Sequence, residues 1–197
     1  MISIYPFNLP LATPYRWTKG IQYSRAGLIF RIDLDGAIGW GETAPPPHLP
    51  VDGKKLKAEA LDNLKDLNPY SEDFIQQLDA RNIAPRIRTG ITTAWIAAKA
   101  AAQGISFADF LGKGWRSPVT EVPVNGLVGE AEPVALVERC TQIWHQGIQT
   151  FKIKCTDDHS MDNQRVAAIR AAFPDATLRL DPNEAWTPEN VLSRLEH

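Results

Sequence analysis

The chain has 197 residues, a formal charge of −2, 44% hydrophobic residues and 22% charged ones. This suits a folded globular protein, either one good core or a small domain with part of a larger one, so that disorder is not the default reading. The charge balance lacks the basic excess of a nucleic-acid binder, no apolar run is long enough for a membrane span, and the start Met1-Ile-Ser-Ile-Tyr-Pro6 is not a secretion signal.

The first region opens with strand signals. Residues 2–9 read as one strand and 27–34 as a stronger one. Asp35-Gly36 reads as a tight turn into a partner strand over 37–41, and Pro45-Pro46-Pro47 ends the meander because proline cannot donate to a ladder. Between the first two strands, 14–24 carries Tyr15, Arg16, Trp17, Lys19 and Tyr23 without regular spacing and reads as a loop. Helices follow: Leu56, Ala60, Leu61, Leu64 and Leu67 recur at helical spacing, a shorter helix covers 71–78, and a third spans 85–103 between Pro85 and Gly104. Strands first and helices after make an α+β module over residues 1–117.

Beyond Ser117-Pro118 the rhythm changes. Strands are expected over 121–125, 148–155 and 177–181, with helices over 133–146 and 160–173, the latter capped by Ser160. Thr187-Pro188-Glu189 reads as the start of one more helix. The alternation demands a parallel sheet, so 118–197 is expected to form about three βα units of an α/β barrel. Three units do not close a barrel that takes eight strands, and the pattern stops within a helix at His197, so the expectation is an incomplete barrel and a truncated chain. Cys140 and Cys155 are too few for a disulfide framework, which fits a reducing, cytoplasmic setting.

The chemistry sits on two strands. Side chains alternate along a strand, so Phe151, Ile153 and Cys155 share the helix-facing side while Lys152 and Lys154 share the other. In a barrel that other side is the inside. Desolvation and mutual repulsion there lower a lysine's pKa toward that of a usable general base. A solvated edge strand with two surface lysines satisfies the same alternation. On the next strand Arg179, Asp181 and Asn183 fall on the same inner face, toward the C-terminal end where barrel active sites lie. Asp181 reads either as the lysines' ion-pair partner or as one oxygen ligand of a hard divalent cation. His48 and His145 have no spaced metal partner and read as surface or core residues, and Glu42 reads as a surface or turn-stabilising residue rather than one facing the site from the capping domain.

Lys152-Ile-Lys154, followed by Leu178-Arg-Leu-Asp-Pro-Asn-Glu-Ala-Trp-Thr-Pro188, resembles the enolase superfamily and, within it, the muconate-lactonizing subgroup. Gly39-Trp-Gly-Glu-Thr-Ala-Pro-Pro-Pro47 resembles that subgroup's capping domain, and Val122-Pro-Val-Asn-Gly126 its first barrel strand. Ser24-Arg-Ala-Gly-Leu28 and the Asp-x-Asn-x-Ala-Trp-Thr segment look most like the o-succinylbenzoate synthases of menaquinone biosynthesis. The resemblance implies a lyase acting on a small carboxylate. It takes a proton alpha to the carboxylate, and Mg²⁺ stabilises the enediolate. Lys154 would be the acid/base, Lys152 its support at the carboxylate, Asp181 the first metal ligand and Asn183 an orienting amide. Arg25, Tyr15 and Trp17 would touch substrate. The remaining metal ligands and a second lysine would lie beyond His197, so this chain by itself is expected to be inactive. N-succinylamino acid racemases, dipeptide epimerases and muconate cycloisomerases use the same lysine pair and are the rivals. A non-catalytic fragment is the alternative of another class.

Overall fold

A computed structural model describes residues 1–17, 20–46, 52–115, 119–129, 132–183 and 186–195, with the backbone alone at 13, 15–17, 20 and 195. The chain divides into two compact units, Met1–Pro14 with Gln22–Thr120, and Tyr15–Ile21 with Glu121–His197.

The first unit is built on a three-stranded sheet of order β1-β2-β3, with β1 Ile2–Trp17, β2 Gly20–Leu34 and β3 Ala37–Thr43. β2 and β3 are antiparallel, Leu34 opposite Ala37. The two-residue turn between them has positive φ at both positions, 53° at Asp35 and 92° at Gly36, the geometry a tight hairpin of right-twisted strands requires. Leu28, Phe30, Ile32 and Leu34 alternate into the core, where they meet Leu56 and Ala60 of α1 (Gly53–Asn63), Phe74 and Leu78 of α2 (Phe74–Ala80), and Ile87, Ile91 and Ala94 of α3 (Pro85–Ala102). β3 offers glycine instead of side chains to this face. A Cβ on Gly39 would overlap the backbone of Ala94 and Ala98, and one on Gly41 the carbonyl of Gly90, so α3 lies directly on the strand.

Several expectations are corrected here. The segment expected as a loop over 14–24 is strand wherever it is described. Tyr, Trp and Ile favour extended backbone, and β1 is an edge strand, where Pro10 and Pro14 can lack an N–H without breaking a ladder. Leu61 is exposed rather than packed. A short helix that the periodicity did not reveal, α4 (Phe107–Gly112), is capped by Ser106, whose Oγ accepts the Asp109 N–H at 3.0 Å. None of its residues is buried, which is why no apolar pattern marks it.

The second unit holds a parallel sheet of order β4-β5-β6: β4 Gly126–Val128, β5 Thr150–Lys154 and β6 Thr177–Asp181. α5 (Pro133–Trp144) and α6 (His159–Ala172) supply Leu136, Cys140, Ile143 and Ile169 to a core around Phe151 and Ile153. The expected α+β capping module followed by the first βα units of an α/β barrel is the observed fold class.

The first strand of this sheet begins at Gly126, not at Glu121, and Val122 and Val124 are exposed. Gly126 decides the start: a Cβ there would overlap Ile143 of α5, so only glycine lets that helix close on β4. Asp158, not Ser160, caps α6, accepting the Met161 N–H at 3.0 Å. Thr187 and Asn190 form a turn, with the Thr187 N–H on Asn190 Oδ1 at 2.9 Å, and α7 (Val191–Leu195) starts after it. Cys140 and Cys155 are free and buried.

Candidate active site

Parallel register sets Lys152 opposite Arg179 and Lys154 opposite Asp181 at the C-terminal ends of β5 and β6. Phe151, Ile153 and Cys155 point into the helix-covered core, which turns both lysines to the opposite face. There Lys152 Nζ lies 2.8 Å and Lys154 Nζ 2.6 Å from the same atom, Asp181 Oδ2. Lys154 Nζ also donates to Asn183 Oδ1 at 2.9 Å. Lys154 is 8% exposed, whereas the Lys152 side chain keeps 38% of its surface. The structure therefore brings Lys152, Lys154, Asp181 and Asn183 together. Asp181 is paired with both lysines, one of the two readings that the sequence left open for it.

Backbone geometry makes the cluster. The Cys155 N–H donates to the Asp181 carbonyl at 3.0 Å, tying the two strand ends together. Pro182 follows, and the Asn183 N–H turns back onto Asp181 Oδ1 at 3.2 Å, an Asx-type turn. Asn183 has φ 47°, a left-handed conformation that asparagine tolerates better than most residues. Burial alone would raise the Asp181 pKa. The hydrogen bonds from Lys152 and Lys154 and the Asn183 N–H outweigh it, and the carboxyl falls to about 2. Arg179 donates to Asn125 Oδ1 at 3.2 Å, on the same sheet but outside this group.

Arg25 belongs to the first unit, where its guanidinium donates to the Ala44 carbonyl at 2.9 Å. Glu42 and His145 are exposed. The side chains of Tyr15 and Trp17, and His48 altogether, lie outside the described residues. Three residues that the sequence did not single out adjoin the site. Asp162 Oδ2 accepts the Thr156 N–H at 2.8 Å, and Arg165 Nη1 lies 3.3 Å from Asp162 Oδ1. An Asp and an Arg three apart on a helix read as a surface pair, and only burial distinguishes this one.

Among the described residues no three His, Cys, Asp or Glu side chains come together to hold a metal ion. Asp181 is a hard oxygen ligand of the type Mg²⁺ takes, but its Oδ2 is shared by two ammonium groups and its Oδ1 by a backbone N–H. The described side chains alone do not fit a Mg²⁺ site.

Residues 135–197 match the family model described as enolase C-terminal domain-like. The chain is 29% identical to an L-Ala-D/L-amino acid epimerase of Populus trichocarpa, over 97% of this chain and 47% of that protein. It is 26% identical to an N-succinyl-L-Arg/Lys racemase of Bacillus cereus, over 98% of this chain and 54% of that one. It superposes on the dipeptide epimerase of Enterococcus faecalis, solved with Mg and the dipeptide L-Leu-L-Tyr, with a TM-score of 0.80 and 25% identity, covering 98% of this chain and 56% of that one. Residues 135–197 thus resemble the C-terminal domain of the enolase superfamily, and the whole chain is similar to epimerases and racemases. The chain spans about half the length of the curated relatives it matches. Those relatives are epimerases and a racemase, isomerases rather than lyases. They favour the rival reading over the o-succinylbenzoate synthase and menaquinone assignment that the Ser24–Leu28 and Asp181–Thr187 motifs suggested.

Proposed function

We propose that this chain supplies one half of a proton-transfer site that inverts the α-carbon of an N-acylated amino acid or dipeptide, with Lys154 as the base for one face. The observation that carries the reading is the buried Lys154 Nζ, held 2.6 Å from Asp181 Oδ2 and 2.9 Å from Asn183 Oδ1 at adjacent strand ends. The epimerase and racemase names of the relatives support it.

In this reading Lys154, as the neutral amine, takes the α-proton. The C–H electron pair moves into the carboxylate as an enediolate, and a proton returned from the opposite face completes inversion. Such a proton is very weakly acidic, so charge must be met where it develops. Lys152, more exposed and on the same face, is suited to holding the substrate carboxylate. Asn183 orients the Lys154 ammonium through its Oδ1. Asp181 bridges the two lysines, accepting from both and offsetting their charge. Magnesium enters the proposal as a cofactor only as far as Asp181, which is one ligand and not a site.

The test is α-proton exchange in D₂O by the product of the whole reading frame, offered N-succinyl amino acids and dipeptides. Deuterium incorporation with racemisation or epimerisation is the expected outcome. Dehydration of the cyclohexadiene precursor of o-succinylbenzoate, without exchange on these substrates, would return the assignment to the synthase.

A further inference from the structure

We propose that Asp162 is a positioning residue for Lys154, acting through the loop that leaves β5. The functional side of the inference rests on Lys154 being the base.

β5 ends at Lys154, and the next two residues are held by different partners. Cys155 stays tied to β6 through the Asp181 carbonyl. Thr156 is tied to α6: its N–H donates to Asp162 Oδ2 at 2.8 Å and its hydroxyl to Asp162 Oδ1 at 3.2 Å. The same hydroxyl accepts the Asp158 N–H at 3.1 Å, which links the loop to the residue that caps α6. Asp162 and Arg165 are 6% and 3% exposed.

A buried ion pair is a poor way to hold a helix on a sheet, because desolvating both charges offsets most of their attraction. Two apolar side chains of similar volume would secure α6 at least as well. They could not accept the Thr156 N–H, and this is the property that accounts for a carboxylate here. The lysine thus emerges from a strand end whose following backbone is fixed on one side to β6 and on the other to α6. The Lys154 ammonium must reach both Asp181 Oδ2 and Asn183 Oδ1, so a shift of the strand end of about 1 Å would break that geometry, and misplacements of that size cost on the order of a hundredfold in rate.

The double variant D162L/R165M removes both charges together and with them the acceptor of the Thr156 N–H. Two readouts follow. The first is labelling of the folded 197-residue chain with a limiting amine acylating reagent, read by mass spectrometry. Lys154 labels more slowly than Lys152 in the parent, and in the variant the Lys154-to-Lys152 ratio rises several-fold while lysines of the first unit are unchanged. The second is α-proton exchange by the whole enzyme, in which kcat falls roughly ten- to a hundredfold with little change in KM. A merely structural role would lower stability and leave both the labelling ratio and kcat per folded molecule unmoved, and that result overturns the proposal. If the parent enzyme exchanges no α-proton, the reading of Lys154 as base fails, while the labelling ratio still decides whether Asp162 positions it. If the double variant does not fold, Asp162→Asn alone keeps one acceptor for the Thr156 N–H, and a smaller rise in the ratio is expected. An unchanged ratio there counts equally against the proposal.

Discussion

Asp181 Oδ2 takes an ammonium hydrogen from each of Lys152 and Lys154, and its carboxyl pKa drops from 3.8 to about 2. A depressed carboxyl pKa stabilises the folded chain above its unfolded value, and that contribution is lost as pH falls through the folded one. The window is therefore between 3.8 and about 2. Asp181→Asn is expected to lower stability at neutral pH and to flatten the acid limb across that window, as read by chemical denaturation at several pH values. For Lys154→Ala we expect a fall in α-proton exchange of about 10²–10⁴-fold, the usual worth of a general base, with unchanged circular dichroism. Turnover close to that of the parent would remove Lys154 from its role. These residues were legible because a strand alternates with period two: once 151, 153 and 155 are apolar, 152 and 154 must face the other way. Asp162 was not legible, since nothing in its neighbours distinguishes a buried acid from a solvated one.

Among the elements, β3 and α3 show how a missing side chain can organise a unit. Ala94, Ala98 and Gly90 of the helix approach Gly39 and Gly41 of the strand backbone to backbone. Gly41→Ala would force these elements apart and is expected to destabilise the chain by about 3 kcal/mol, in the upper range for overpacking. Gly36→Ala, with open space around its Cβ but φ 92°, should cost only about 1 kcal/mol through backbone strain. Thermal unfolding of the two variants separates the effects. The hairpin at Asp35-Gly36 and the long helix from Pro85 could be read directly, because turn and cap residues act locally. The start of β4 and the extension of β1 and β2 could not. Gly126 matters only because Ile143 packs on it, and the prolines of β1 are tolerated only because that strand is an edge.

At the scale of the whole molecule, the described residues form two cores, one around Phe30 and Phe74, the other around Phe151. Truncating Phe151 to Ala, the side chain behind the lysine strand, is expected to cost about 3–5 kcal/mol. Loss of amide protection in 150–154, measured by hydrogen exchange, checks it. Among the described residues the site brings together one carboxylate and two lysines. Substrate class is therefore to be decided by exchange assays on N-acyl amino acids and dipeptides against the cyclohexadiene acid, with isomerisation the expected outcome. Among the described residues no helix is long and apolar enough to cross a membrane.

Local chemistry in the chain was enough to establish the strand and helix alternation, the α+β-then-βα order and the common face of Lys152 and Lys154. Each follows from a side-chain period or a turn residue acting within a few positions. Long-range packing settled the rest: that the two lysines share one carboxylate oxygen, that Arg25 is spent on the Ala44 carbonyl, and that Asp162 and Arg165 are buried beside Thr156. Those facts depend on distances between residues up to 29 positions apart, and no periodicity along the chain encodes them.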